Sequence, residues 1–145
     1  MTRIAAVLAA LVLVLPLSAG KLKNKPFKEK RFDAVVISSS AMVEGRYRGM
    51  EDDHVLELRV TDTDAVTGTI RLHGSTSNLT NISRRGNVLT ATESRPDGTR
   101  RPLRIELVNR VLNGETAYGA LVSGLDIRLD ETTMIERLFF ARVSR

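Results

Sequence analysis

The chain has two histidines, and one of them follows a run of acids, Glu51-Asp52-Asp53-His54. Carboxylates and imidazoles at this spacing suit a divalent metal ion. The second histidine, His73, ends a segment of alternating side chains. Strand alternation places the two imidazoles on opposite faces of neighbouring strands, so a shared site would need a β-bulge. We therefore interpret residues 51–54 as an acidic loop that opens a strand, and we predict no metal ion and no cofactor.

Two polar residues beside the Asn113-Gly114 dipeptide are candidates for binding a ligand. Asn-Gly is a strong signal for a two-residue hairpin turn. Such a turn pairs Asn109 with Tyr118, and both residues face inward if Leu107 does. The pair has two interpretations, which stay open here: it orients the polar group of a small ligand, or it forms an internal hydrogen bond between buried polar groups.

Catalytic motifs are lacking in the sequence. A serine nucleophile needs a histidine with an oriented partner, whereas the serines at 38–40 and 75–77 lie in stretches typical of loops. The chain contains no cysteine and shows no nucleophile elbow, phosphate loop or paired-carboxylate signature. We predict no catalytic residues and no enzymatic activity.

Period-two alternation of apolar and polar residues predicts that the body of the chain is a series of short strands. Turn signals separate these strands at hairpin spacing, as in Thr61-Asp62-Thr63-Asp64 and Pro96-Asp97-Gly98. Residues 125–133 are expected to form a loop or a short helical turn. The candidate strands are residues 42–48, 54–60, 67–73, 79–84, 88–93, 103–111, 116–122 and 134–143, with a shorter one at 34–37.

The order and number of these strands predict an all-β fold. An antiparallel up-and-down meander that closes into a barrel of about eight strands leaves no exposed sheet edge. A β-sandwich is the alternative. Because loops of a meander alternate between two ends, three charged groups are expected to share one end: residues 51–53; Arg95, Arg100 and Arg101; and Asp126, Asp130 and Glu131. They would frame a binding mouth or form solvated pairs at the rim.

The N-terminus resembles a secretory signal peptide. A basic start at Arg3 precedes an apolar run over residues 4–15, and small residues follow at Ala19 and Gly20. We predict cleavage near Ala19 or Gly20 and export to the periplasm or the exterior. An uncleaved membrane anchor is the alternative, because positive charge follows the apolar run. The predicted organisation is a signal peptide (1–20), a basic flexible linker (21–33) and one barrel domain (34–145).

Positive charge is concentrated directly after the predicted signal. The formal charge of the whole chain is +5, and the linker carries most of it, so the body is close to neutral. We therefore predict no nucleic-acid partner. The linker either binds an anionic membrane surface or acts as a solvated spacer. Its basic residues are Lys21, Lys23, Lys25, Lys28, Lys30 and Arg31.

Asn78-Leu79-Thr80 and Asn81-Ile82-Ser83 match the acceptor pattern for N-glycosylation, which matters in a glycosylating secretory pathway. We interpret them as polar clusters that form turns.

The segments Gly45-Arg46-Tyr47-Arg48-Gly49, Leu56-Glu57-Leu58-Arg59-Val60 and Val66-Thr67-Gly68-Thr69-Ile70 resemble the opening strands of small calycin-type barrels, the avidins and lipocalins. The resemblance implies a small up-and-down barrel. The chain has no tryptophan, whereas avidins line their biotin pocket with this residue, so biotin binding is not implied.

These patterns predict an exported, non-catalytic barrel that binds a small ligand in the cell envelope or outside the cell. Tyr118, Asn109 and Tyr47 are the candidate ligand-binding residues. The alternatives are a protein- or envelope-contact module, which uses the barrel surface or the lysine-rich segment, and a small hydrolase.

Overall fold

The computed structural model describes residues 30–51, 53–126 and 130–144, with residue 126 and residues 130–136 described by their backbone alone. Within these ranges, nine antiparallel strands form one sheet. The strands are β1 (Lys30–Ala34), β2 (Gly45–Arg48), β3 (Val55–Val60), β4 (Val66–Leu72), β5 (Ser75–Arg85), β6 (Val88–Ser94), β7 (Arg100–Leu112), β8 (Glu115–Asp126) and β9 (Asp130–Ser144).

Strands β2 to β9 form a closed eight-stranded barrel. Each strand pairs with the next in sequence, and the barrel closes where β9 pairs with β2 through Ala141 opposite Arg48 and Arg142 opposite Tyr47. The predicted up-and-down barrel is confirmed, and the β-sandwich alternative is wrong. Closure satisfies the backbone edges that an open meander would leave unpaired.

Strand β1 lies outside the barrel and pairs with the end of β7 that extends past β6. The predicted short strand at 34–37 thus lies earlier, and β1 includes Lys30 and Arg31 from the predicted linker. Phe32 anchors β1, because its ring packs on Phe139 of β9 with centroids 5.7 Å apart. The predicted signal peptide, its cleavage position and Lys21 to Lys28 lie outside the described residues.

Inward-facing side chains fill the barrel interior. Alternate residues of each strand point inward, as the period-two pattern predicts. Gly68 allows a close approach of two strands, because a Cβ at this position would lie 2.4 Å from the carbonyl oxygen of Glu57. The buried core consists of Val43, Tyr47, Leu56, Leu58, Ile70, Leu79, Leu89, Ala91, Leu103, Ile105, Leu107, Ala120, Val122 and Phe140.

Two hairpin turns use residues with positive φ. Asn113 and Gly114 have φ of 52° and 83°, and the turn sets the predicted register, with Tyr118 opposite Asn109. His73 and Gly74 have φ of 52° and 79° and connect β4 to β5. This second turn lies where the alternation pattern predicted that the strand continues through His73.

Two predicted irregular stretches are strands. Asn78 and Asn81 both lie in β5 and are exposed, so the interpretation of their clusters as turns is wrong. A β-bulge between Thr80 and Ser83 accommodates the positive φ of Asn81, 53°. In the second stretch, 125–133, β8 extends to Asp126 and β9 begins at Asp130, so its described residues are strand.

A 3₁₀ helix at Ser40–Met42 precedes β2 and lies against one end of the barrel. The strand predicted over residues 42–48 therefore begins only at Gly45. We call residues 39–44 the cap and this end of the barrel the capped end. The other end contains the loop at 49–54, the His73-Gly74 turn and the loop at 95–99, and we call it the histidine end.

Among the described residues, no helix has the length and apolar character needed to cross a membrane.

Candidate functional site

Two tyrosines at the capped end bind the backbone of the cap. The hydroxyl of Tyr47 is buried and donates to the carbonyl oxygen of Val43 at 2.6 Å. The hydroxyl of Tyr118 donates to the carbonyl oxygen of Met42, and the two rings lie 6.5 Å apart. These contacts use both predicted ligand-binding tyrosines to attach the cap to the barrel.

Arg142 adds a third attachment to the cap. Its Nη2 donates to the carbonyl oxygens of Glu44, at 2.6 Å, and Ala41, at 3.0 Å. Burial raises the pKa of Tyr47, and the neighbouring Tyr118 raises this pKa further. The positive charge of Arg142 acts in the opposite direction and lowers it. Burial also raises the pKa of Tyr118. Both tyrosines therefore remain protonated hydrogen-bond donors in the folded barrel well above neutral pH.

Asn109, the third predicted ligand-binding residue, is half-buried in β7. It lies opposite Tyr118 on one side and Asp33 of β1 on the other. The predicted register is confirmed. The hydrogen bonds of Tyr118 and Tyr47 to the cap favour an internal structural role for these side chains over direct contact with a ligand.

The two histidines meet at the histidine end, with ring centroids 5.0 Å apart in an edge-to-face arrangement. The prediction that they lie on opposite faces is wrong. Alternation ends at Leu72, because His73 adopts a positive φ in the turn that follows. No bulge is needed to bring the rings together.

The loop at 49–54 positions His54 at the top of the core. Gly49 N–H donates to the His54 carbonyl at 2.8 Å, and His54 N–H donates to the Glu51 carbonyl at 3.0 Å. The His54 ring is stacked with Phe140, 6.2 Å away, and the residue is 5% exposed.

The Nε2 atom of His54 is buried and has no hydrogen-bond partner. Among the described residues, carboxylate oxygens of Glu51 and Asp53 lie 3.8 and 3.9 Å from this atom. Both distances exceed hydrogen-bond range. An unsatisfied buried polar atom of this kind costs about 1–3 kcal/mol. Glu51, His54 and His73 each offer one possible ligand atom, and these three atoms lie within 4.8 Å of one another.

A polar network stands beside the histidines, at the histidine end of the barrel interior. Glu93 is 3% exposed and accepts hydrogen bonds from Arg101, at 3.0 and 3.2 Å, and from the hydroxyl of Ser77, at 3.2 Å. Nε of Arg95 lies 3.5 Å from the same carboxylate. One buried anion thus holds two guanidinium groups.

An open cleft of about 310 Å³ is formed at this network. Grooves of about 420 and 400 Å³ lie elsewhere on the barrel, but the smaller cleft is the one at which buried charge converges. Its lining residues are Leu72, His73, Ser75, Ser77, Glu93, Arg95 and Arg101.

The predicted grouping of charged loops at one end agrees with the strand topology for the loops at 49–54 and 95–99. β8 also ends and β9 also begins at this end, whereas the side chains of Asp126, Asp130 and Glu131 lie outside the described part of the structure. Sequence reasoning missed Glu93, although this polar residue occupies an inward position of a predicted alternating strand. The interpretation of residues 75–77 as a loop is wrong, because they belong to β5, and this error hid Ser77.

No family model, curated protein or solved structure matches the chain. The resemblance of residues 45–70 to the avidin and lipocalin barrels therefore stays a prediction from the sequence. The function has to be inferred from the geometry described above.

Proposed function

We propose that the protein is an exported, non-catalytic β-barrel that binds a small anionic ligand in the cleft at the histidine end. The observation that carries this proposal is the buried carboxylate of Glu93, which holds Arg95 and Arg101 at the cleft wall. Binding here requires no catalytic step. Ser77, which lines the cleft, donates its hydroxyl to Glu93 and not to a histidine.

The barrel interior is a poor location for the ligand. Apolar side chains pack the space between the two ends, and the cap covers the region around Tyr47 and Tyr118. Small barrels either fill their interior with side chains or hold one ligand, and this barrel resembles the first kind. The cleft at the rim is therefore the better candidate.

The guanidinium groups determine the expected class of ligand. Two of them, from Arg95 and Arg101, converge on the buried carboxylate of Glu93. Arg95 is 40% exposed along its side chain, which places it within reach of a molecule in the cleft. Guanidinium groups bind carboxylates and phosphates through paired, charge-assisted hydrogen bonds. A small carboxylate or phosphate ester is the expected ligand.

Native mass spectrometry of the protein purified from its own host tests this proposal. Extra mass that disappears on denaturation would identify a bound ligand, and Arg95→Gln should abolish the adduct. Arg59→Gln, which removes an exposed arginine from the outer wall of β3, should retain it. An adduct that survives Arg95→Gln would place the ligand elsewhere, and a bare chain under all conditions would contradict the proposal.

The denatured mass of the same sample tests export. A mass that corresponds to residues 20–145 or 21–145 would establish signal cleavage near Ala19 or Gly20. The full-length mass would contradict cleavage and favour the anchored alternative.

A second candidate function is contact with an anionic membrane surface, and the residues around β1 favour it. Lys30 and Arg137 lie over the ring of Phe32, at 5.7 and 5.8 Å from its centroid. Arg110 lies 4.7 Å from the centroid of Phe139. In the sequence, β1 is preceded by Lys21, Lys23, Lys25 and Lys28.

Vesicle sedimentation tests the membrane candidate. The full chain should sediment with vesicles that contain anionic phospholipid and remain in solution with neutral phosphatidylcholine vesicles. High salt should release the protein, because added ions shorten the Debye length below its value of about 8 Å at physiological ionic strength and so screen the attraction. Lys30→Gln with Arg137→Gln should weaken sedimentation. Equal sedimentation with neutral vesicles would contradict an electrostatic contact.

A further inference from the structure

We propose that Glu51, His54 and His73 bind a divalent transition-metal ion, with Zn²⁺ as the best-suited ion. The site follows from three side chains whose ligand atoms lie within 4.8 Å of one another. It stands independently of the anionic ligand proposed above. Different residues form it, although His73 also lines the cleft.

The strongest indication is the buried nitrogen of His54. Buried polar atoms in proteins almost always have a partner, and a bound water or ion is one of the recognised explanations for an exception. Nε2 has no hydrogen-bond partner and faces the carboxylate of Glu51 at 3.8 Å. Because Phe140 and the loop backbone hold the ring, His54 is a preorganised ligand that needs no movement to bind an ion.

The other two ligands can close on the ion. Ligand atoms of a tetrahedral zinc site lie about 3.3 Å apart, given metal–ligand distances of about 2.0–2.1 Å. Glu51 and His73 are exposed, so rotation of their side chains can shorten the present separations without disturbing the core. The site therefore combines one fixed ligand with two adjustable ones.

The chemistry of the three ligands selects the ion. Two imidazoles and one carboxylate suit Zn²⁺, whereas Ca²⁺ and Mg²⁺ prefer sites made of oxygen alone. Three protein ligands leave a fourth tetrahedral position for water.

Isothermal titration calorimetry with ZnCl₂ tests the site on the full chain, purified without a polyhistidine tag. We expect one Zn²⁺ per chain and little or no heat with MgCl₂. Zinc should also raise the melting temperature, since an ion that binds only the folded state stabilises it. Absence of zinc binding would overturn the proposal and leave Glu51 and His54 as an ion pair or water-bridged pair.

His73→Asn is the most informative variant. Asn-Gly is favoured in a two-residue hairpin turn with positive φ, so the variant should fold as well as the parent chain while it loses an imidazole. Zinc affinity should fall by at least about tenfold, since even residues that merely support metal ligands contribute 10–100-fold. Unchanged affinity would show that zinc binds elsewhere.

Two further variants complete the test. Glu51→Gln keeps the shape of the side chain and removes its charge, and it should weaken zinc binding severalfold. Glu115→Gln is the matched control, because it removes an exposed carboxylate at the capped end, and its affinity should equal that of the parent chain. Equal losses in both variants would indicate non-specific attraction to carboxylates and overturn the assigned site.

Discussion

The two ends of the barrel use buried polar groups in opposite ways. At the capped end, Tyr47, Tyr118 and Arg142 all donate to backbone carbonyls of one short segment of the chain. At the histidine end, Glu93 gathers cations beside an open cleft. Both ends contain a buried nitrogen without a hydrogen-bond partner, Nε of Arg142 at the capped end and Nε2 of His54 at the histidine end. One end is closed by the chain itself, and the other presents charge beside an open cleft.

This contrast separates residues that stabilise the fold from residues suited to binding. A buried polar group with a backbone partner contributes to stability. A buried polar group without any partner reduces stability. We therefore expect substitutions at the capped end to lower stability, and some substitutions at the histidine end to leave it unchanged or raise it.

Tyr47→Ala should have the largest effect. It removes a fully buried ring and its hydrogen bond to the cap, which should lower the free energy of unfolding by about 3–5 kcal/mol. Urea denaturation measures the change. Val36→Ala is the control, since Val36 is 85% exposed and its loss should be nearly neutral. A loss below about 1 kcal/mol for Tyr47→Ala would mean that the cap does not depend on this ring.

Glu93→Gln should have the next largest effect, about 2–3 kcal/mol. Breaking a fully buried pair costs about 3–5 kcal/mol, but Arg95 is partly exposed and solvent reduces the loss. Glu57→Gln is the matched control, because its pair with Arg46 lies on the surface and is worth under about 1 kcal/mol. Urea denaturation measures the free energy of unfolding of both variants. An equal decrease for Glu93→Gln and Glu57→Gln would show that Glu93 does not organise the histidine end.

Alkaline pH should destabilise the capped end. Burial raises the pKa of Tyr47, so the folded state keeps a proton that the unfolded state loses near pH 10. The stabilisation is fully present below pH 10 and falls by about 1.4 kcal/mol per pH unit above it. The chain has two tyrosines and no tryptophan, so absorbance at 295 nm reports their ionisation directly. The double variant Tyr47→Phe, Tyr118→Phe should lose this pH dependence. Ionisation of the tyrosines near pH 10 in a parent chain that stays folded would contradict the prediction.

Replacing one buried polar side chain at each end with an apolar one should affect stability differently. Tyr47→Phe leaves the carbonyl of Val43 without its donor and should destabilise the barrel by about 1 kcal/mol. His54→Leu removes the imidazole with its unpartnered Nε2 but keeps an apolar side chain against Phe140, and it should be neutral or stabilising in metal-free buffer. Thermal unfolding of both variants measures the difference. If His54→Leu destabilised the barrel as much as Tyr47→Phe, the polar groups of the two ends would not differ in their contribution to stability.

Local patterns in the sequence were sufficient to predict the strands, several turns and one hairpin register. Leu56, Leu58 and Ile70 alternate with polar residues, and this pattern alone indicates which face is buried. Asn113-Gly114 accounts for the pairing of Tyr118 with Asn109, because few residue pairs adopt positive φ at both positions. The positions of His54 and His73 were predicted wrongly, since alternation was extended into a turn where it no longer holds.

The sequence by itself thus determined the inward and outward faces of the strands and their order in a meander, because both depend on neighbours a few residues away. Tertiary structure decided how the ends are completed. The cap attaches to side chains from β2, β8 and β9. His54 meets His73 across the hairpin of β3 and β4, and it meets Phe140 of β9. The contacts of Arg142 and Phe140 depend on barrel closure, which brings β9 against β2 and places residues about 100 positions apart within hydrogen-bond distance.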